Sequence, residues 1–209
     1  VIDNTTTQVN LLDSLDMPTE TNVALTFYDN FTDIVKYNFI HTMNSMGNPD
    51  TMIIDPVLRY KVIAHTIPPV ESDIITINPG EHTIIPLKTP QGKLRIEINT
   101  KKDYSFIVKD INSHKTINLQ NINTTENYIT GSYDIELLTL PRQYYKNIRI
   151  NQNQLTRIQL PSTGLVNILL PAKGYGGVYL KNGDKIIEIY RFNGESNQYK
   201  LTLLPGKYT

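Results

Sequence analysis

Three observations predict an all-β fold built from tandem antiparallel β-sandwich modules. Apolar and polar residues alternate at a period of two, turn dipeptides recur between the alternating segments, and the chain repeats itself. Leu94-Arg-Ile-Glu-Ile98 puts three apolar side chains on one face and its charges on the other, the pattern of a half-buried antiparallel strand. Ile148-Arg-Ile150 and Leu201-Thr-Leu203 do the same on a shorter scale. The filling residues are Ile, Val, Thr and Tyr, which suit a pleated surface. Asn182-Gly183 supplies the positive φ angles of a type I′ hairpin turn, and Asn193-Gly194 is a second such signal. Pro79-Gly80 and Pro205-Gly206 have the Pro-then-Gly order of type II turns.

The repeat is the strongest of the three. Tyr60-Lys-Val-Ile-Ala-His-Thr-Ile-Pro68 returns 73 residues later as Tyr133-Asp-Ile-Glu-Leu-Leu-Thr-Leu-Pro141. Ile74–Ile77, Thr83–Leu87 and Gly92–Ile98 then correspond to Asn147–Ile150, Thr156–Leu160 and Gly164–Leu170. The offset slips by one residue only between segments, because a slip within a strand would turn its apolar face outward. Tyr104–Val108 faces Tyr175–Tyr179, and Gly206-Lys-Tyr208-Thr209 matches Gly131-Ser-Tyr133-Asp134. A period of this size is one small β-domain of six or seven strands.

From the front, Asn10–Asp16 has a helical turn or two at most, ended by Pro18. Thr21–Phe27 resembles the Gly92–Ile98 strand and Tyr37–Ile40 resembles Tyr104–Ile107. The expected organisation is therefore the rear part of a first module over 1–70, N-terminally incomplete, a complete module over 71–143, and a third over 144–209, C-terminally truncated. The Tyr-led strand is expected to close each sandwich, with Pro68-Pro69 and Pro141 ending it.

Composition excludes several functions. The 209 residues carry a net charge of +0, which argues against nucleic acid, a partner that demands a positive patch. No apolar run approaches the roughly 20 residues of a membrane-spanning helix. Without cysteine there is no thiolate metal site, cysteine nucleophile or disulfide. His41, His65, His82 and His114 are scattered, with no short spacing of a zinc site. Gly-x-Ser-x-Gly is absent, and Gly174-Tyr-Gly-Gly177 reads as a bulged or closely approached strand. Acidic residues such as Glu97, Asp134, Glu136 and Glu188 fall on turns or outward strand positions, so they read as solvated surface. Asp103-Tyr-Ser-Phe-Ile107 starts like a metal-ion adhesion motif but has Ile107 in place of its second serine. No catalytic residue, cofactor or metal is expected. Asn4, Asn30 and Asn123 open glycosylation sequons, as chance supplies in an Asn- and Thr-rich chain.

The candidate contact residues are tyrosines: Tyr144 and Tyr145 after a strand end, and Tyr175 and Tyr179, with Tyr190 and Tyr199 close by in the third copy. Exposed rings anchor protein partners or stack on sugars; the competing role is cross-strand pairing. Thr42–Asp50 is a long polar loop of the variable hairpin kind.

Leu203-Leu-Pro-Gly-Lys-Tyr208 and the Gly164–Ile168 strand resemble the prealbumin-like and carboxypeptidase-regulatory-like β-sandwiches, an immunoglobulin-like plan. His65–Val70, Pro79–His82, Lys88–Gly92, Tyr133–Arg142 and Gly174–Gly177 resemble the β-repeat region that follows the von Willebrand factor A domain in secreted proteins of Bacteroidales. No metal residue carries over, because that motif belongs to the A domain. The resemblance implies an extracytoplasmic address, periplasm or cell surface. It also implies an accessory, non-enzymatic role: spacing, supporting or presenting an adhesive domain, with a protein partner. The alternative is a carbohydrate-binding module using exposed tyrosines. Oligomers through unpaired edge strands are a further expectation.

Overall fold

The computed structural model describes residues 4–100 and 102–209. Among them are nineteen strands and no helix. The protein is all-β, as its alternation predicts. The chain divides into two compact units: Val1–Leu94, Asn127–Gly131 and Arg149–Thr156 in one, and Arg95–Glu126, Ser132–Ile148 and Arg157–Thr209 in the other.

The first unit contains β1 (Thr6–Leu12), β2 (Ala24–Asp29), β3 (Val35–Ile40), β4 (Thr51–Ile53), β5 (Arg59–Ala64), β6 (Val70–Glu71), β7 (Ile75–Thr76) and β8 (His82–Lys88). One sheet has the order β4-β1-β8 and the other β3-β2-β5-β6, with β7 also on β5. β1 runs antiparallel to β4 and parallel to β8, in register from Thr6↔His82 to Leu12↔Lys88. Strand alternation buries Val9 and Leu11 of β1 with Leu25 and Phe27 of β2 and Val62 of β5. Phe27 sits among Tyr37, Phe39 and Tyr60, each ring 6.0 Å away.

Asn10–Leu12 are therefore strand, not helix. The turn after them is made by the Asp13 carboxylate, which accepts the backbone N–H of Leu15 at 2.8 Å and of Met17 at 2.9 Å. Aspartate offers the backbone this local alternative to a helix.

Next come β9 (Gln91–Glu97), β10 (Ser105–Asp110), β11 (Thr116–Asn121), β12 (Thr125–Ile129), β13 (Gly131–Leu137), β14 (Gln143–Ile150) and β15 (Leu155–Gln159). Their sheet orders, β12-β9-β15 and β11-β10-β13-β14, copy those of the first set, without a separate counterpart of β7. The pairing copies it too. Asp29↔Tyr60 on β2 and β5 becomes Asp110↔Tyr133 on β10 and β13. A one-residue irregularity at Phe27/Tyr28 returns at Val108/Lys109. By sheet position β9 answers to β1 and β10 to β2. The likeness of Thr21–Phe27 to Gly92–Ile98 is thus displaced by one strand. β1 escapes notice because Thr7 stands where β9 has Gly92; Thr7 is fully buried and donates to the Thr83 carbonyl at 2.9 Å.

In the second unit, β16 (Gly164–Leu169), β17 (Tyr175–Asn182), β18 (Lys185–Asn193) and β19 (Gln198–Leu203) begin the plan again. β16 pairs β19 as β1 pairs β4, and β17 pairs β18 as β2 pairs β3, with the irregularity now at Val178/Tyr179. Tyr208 bridges Leu180, the place of Tyr60 and Tyr133.

The repeated tyrosine has a structural cause. The Tyr60 hydroxyl donates to the Asp55 carbonyl at 2.9 Å, and the Tyr208 hydroxyl donates to the Leu204 carbonyl. A buried phenol needs such a partner, and bonding back to the loop that delivers the strand makes a tyrosine corner. β5 and β13 are interior strands, flanked on both sides, so the Tyr-led strand does not close the sandwich. The other end of the motif repeats as well: Thr66 and Thr139 donate to the carbonyls of Pro68 and Pro141 at 2.5 and 2.7 Å, and both proline peptide bonds are cis.

Two turns differ from expectation. Asn182 pairs with Lys185, so the central residues are Gly183 and Asp184. Only Gly183 has a positive φ, 61°, the pattern of a type II′ turn rather than I′. Gly206 is not among the positive-φ glycines. Its small size serves packing: a Cβ there would lie 3.0 Å from Leu180 and from the Tyr208 ring. Pro79-Gly80 does form its turn, with Gly80 at φ 79° and a Glu81 N–H to Asn78 carbonyl bond of 3.3 Å.

Candidate interaction surface

The four candidate tyrosines are dispersed along the strands that follow β13. Tyr144 on β14 is 65% exposed and lines a groove of about 580 Å³ with Leu140, Arg142, Leu180, Ile187 and Glu188. Tyr145, the next residue on the strand, faces the opposite side and is half-buried. Tyr179 is half-buried and its hydroxyl donates to Glu188 at 3.3 Å. Glu188 is held by Arg191 at 2.9 Å, which keeps its carboxyl below the usual range. The groove therefore joins Tyr144 to the acid that Tyr179 grips. Tyr175 lies elsewhere, 88% exposed, with its ring over Gly194, whose Cβ would be 3.0 Å from it.

Tyr190 and Tyr199 are not surface residues of the same kind. Tyr199 is buried, stacks on Phe192 at 4.4 Å, and meets Tyr190 at 6.1 Å. They make the core with Val178, Leu201 and Leu203. Within Gly174–Gly177, Gly176 and Gly177 are closely approached, as expected, whereas Gly174 is open. A Cβ on Gly177 would stand 2.8 Å from the Tyr190 carbonyl, and one on Gly176 would stand 3.1 Å from the Phe192 ring.

The acids are engaged in ion pairs. Glu97 is clamped by Arg157 and Arg95, and both hold its carboxyl low. Glu136, buried on β13, accepts from Lys109 at 2.6 Å and from Arg142, with the same effect. The histidines are apart. His41 is buried, its Nε2 3.0 Å from the Val9 carbonyl, and burial pushes its pKa down. His65 meets Thr26 at 2.8 Å, and His82 meets Thr6 at 2.9 Å. His114 stands 3.9 Å from Asp134. No group of three or more metal-ligating side chains occurs among the described residues. No helix there is long and apolar enough to cross a membrane. The amide of Asn123 is occupied, bonded to the Ile98 backbone at 3.1 and 3.2 Å. The Thr42–Asp50 loop is organised by the Asn44 side chain, which accepts the N–H of Met46 and Asn48 at 2.9 and 3.1 Å.

Tyrosine counting misses several exposed apolar side chains. Leu165, Val166 and Leu169 of β16 are 56%, 38% and 75% exposed, and Ile186 of β18 is 65% exposed. By strand position Val166 answers to Val9 of β1, which is 3% exposed, while Leu165 and Leu169 stand at the places of Gln8 and Leu12. The signal was present in Gly164-Leu-Val-Asn-Ile-Leu-Leu170, an apolar run in place of strict alternation, as expected of a strand with apolar neighbours on both faces.

No protein-family model and no curated protein matches the chain. Among solved structures, the Bacillus anthracis TIE protein is similar at 12% identity and a TM-score of 0.31, over 99% of this chain and 44% of that one. This chain thus spans less than half of that protein's length. The minor pilin GBS52 of Streptococcus agalactiae is similar at 11% identity and a TM-score of 0.36, over 75% of this chain and 94% of that one. A streptococcal ancillary pilin is similar at 10% identity and a TM-score of 0.28, over 98% and 88%.

Proposed function

We propose that this is a non-catalytic, extracytoplasmic series of β-sandwich modules that spaces or presents an adhesive domain and engages a protein partner. The observation that carries it is the recurrence of one strand order, β4-β1-β8 with β3-β2-β5-β6, as β12-β9-β15 with β11-β10-β13-β14. A plan built again with new surface residues is a scaffold, and the acids on it are neutralised rather than gathered for proton transfer. A period has no phase of its own. We take the phase from the sheets, so that modules begin at β1, β9 and β16, with the period of the Tyr motif retained. The association with a von Willebrand factor A domain in Bacteroidales proteins, and the cell-surface or periplasmic address, belong to the same proposal and rest on the sequence resemblance.

The test is surface plasmon resonance of the whole chain against a panel of cell-surface and matrix proteins. Saturable binding to one of them, lost on Tyr144→Ala or Ile187→Ser without loss of fold, is expected. Turnover of any small substrate would overturn the reading. The exposure of Tyr144 and Tyr175 favours a second reading, a carbohydrate-binding module. It predicts a glycan-array signal that disappears in Tyr144→Ala or Tyr175→Ala.

A further inference from the structure

His41 is a buried ionisable group in a place where the fold does not ask for one. It follows β3, is 2% exposed, and its backbone N–H bonds the Val23 carbonyl at 2.8 Å. In the second set the matching residue is Ile122, whose N–H bonds the Tyr104 carbonyl at 3.0 Å. Ile122 is buried as well, at 7%. An aliphatic side chain thus suffices for packing here, and the histidine adds something more.

What it adds is a bond between the two sheets of the first unit. Its Nε2 stands 3.0 Å from the Val9 carbonyl. A carbonyl only accepts, so Nε2 carries the proton and Nδ1 is the bare acceptor. β4 pairs Thr6–Gln8 of β1 and stops; the ring takes up the strand at the next residue. Among the described residues Nδ1 has no partner. A proton there puts an unanswered N–H and a full charge beside the buried Val9 and Val23, which is costly. Of the charged side chains on the neighbouring segments, Asp13, Asp16 and Glu20 follow β1, Lys36 lies on β3 and Asp50 ends the loop after His41. Asp50 favours the charged ring, and burial outweighs it.

We propose that His41 is an acid-sensitive latch on the first unit. Uncharged, its ring holds β1 to the end of β3. Protonated, it leaves that place, turns to the Asp50 carboxylate and releases the Thr42–Asp50 loop together with β4. The loop is tied to itself and can move as a piece. The Thr42 hydroxyl donates to Asp50, the Asp50 N–H bonds the Thr42 carbonyl at 3.3 Å, and Met43 bridges Pro49. β4 is held to β1 by three residue pairs. In the second set only residues 122–124 separate β11 from β12, and the Gln120 amide donates to the Thr124 carbonyl at 3.1 Å. Acid therefore loosens one end of the first module and leaves its copy closed. Below pH 6.5 the unfolded chain takes up a proton that the latched fold refuses, so stability falls as pH falls.

The test is amide exchange of the whole chain from about pH 7.5 to about pH 5, corrected for the intrinsic rate. The Asp50 and Ile54 N–H groups bond the Thr42 and Thr5 carbonyls. Their protection is expected to fall by up to about tenfold per pH unit below 6.5. That of Asn123, bonded to the Ile96 carbonyl, is expected to hold. His41→Ile, which installs the side chain of the second copy, should remove the fall. Asp50→Asn should move it to lower pH. Protection at Asp50 and Ile54 that stays flat with pH, or falls equally in His41→Ile, overturns the latch. So does a ring-nitrogen NMR spectrum of the unaltered chain with the proton on Nδ1 at neutral pH.

Discussion

The β2–β3 and β10–β11 hairpins share a backbone and differ at the tip. In the first, Asp33 N–H bonds the Asp29 carbonyl at 2.9 Å, Asp29 N–H bonds Ile34 at 3.0 Å, and Asp33 has φ 54°. In the second, His114 N–H bonds the Asp110 carbonyl at 2.9 Å, Asp110 N–H bonds Lys115 at 2.9 Å, and His114 has φ 55°. Each opening aspartate caps its own loop. Asp29 accepts Phe31 N–H at 3.0 Å and the Thr32 hydroxyl at 2.7 Å; Asp110 accepts Ser113 N–H at 2.6 Å and its hydroxyl at 2.8 Å. Those backbone donors hold both carboxyls below the ordinary range. At the tip the likeness ends: Phe31 is 94% exposed, while its counterpart region has Asn112 and Ser113. The aspartate and the left-handed residue set the loop, and the residues between them are free to vary. That is where the surface can change without cost to the fold.

The largest separation lies beneath the hairpins. Phe27→Ala removes the centre of a four-ring cluster, and a loss of about 3–5 kcal/mol in urea unfolding is expected. Val108→Ala, with a smaller side chain at the matching position, should cost clearly less; equal losses would show that the rings add nothing. Alkaline pH comes next. Burial pushes Tyr133 up to about 12 from 10.0, and Tyr60 higher still. Above pH 10 the unfolded chain releases these protons while the folded chain keeps them. Stability is thus complete below about pH 10 and falls as pH climbs towards 12. A flat unfolding midpoint over that window would break the account of these phenols as buried, and Tyr133→Phe should remove part of the fall.

Asp29→Ala and Asp110→Ala test whether the caps are one device: each should lower Tm by a few degrees, and by similar amounts. Because both carboxyl pKa values are depressed, their contribution is present above pH 3.8 and is lost as pH falls through the folded pKa. Asp33→Gly and His114→Gly relieve a left-handed backbone, and a gain of about 0.5 kcal/mol in each is expected from denaturant melts. Phe31→Ser should stay within about 0.5 kcal/mol in stability. A partner bound by the first hairpin would nonetheless be lost, as a binding assay would report.

The strands and their period were legible because Tyr60 and Tyr208 answer a strict demand: a phenol at a corner bonds its own loop. The phase we propose was less legible. Thr7 replaces glycine at the head of β1, and the displaced matches of Thr21–Phe27 and Tyr37–Ile40 share only alternation, which every strand has. The surface was half legible. Aromatic residues can be counted, but alternation cannot say which face of β18 and β19 is covered, so Tyr190 and Tyr199 read like Tyr175.

The parallel contact of β1 with β8 has a mechanical consequence. Seven residue pairs, Thr6↔His82 to Leu12↔Lys88, join the first and last strands of the segment head to head. Tension applied at the front of β1 and the rear of β8 draws the two strands past each other lengthwise. The slanted bonds of a parallel ladder are then strained all at once in shear, instead of opening one after another like a zipper. Under load along the chain, this segment is expected to yield late and abruptly.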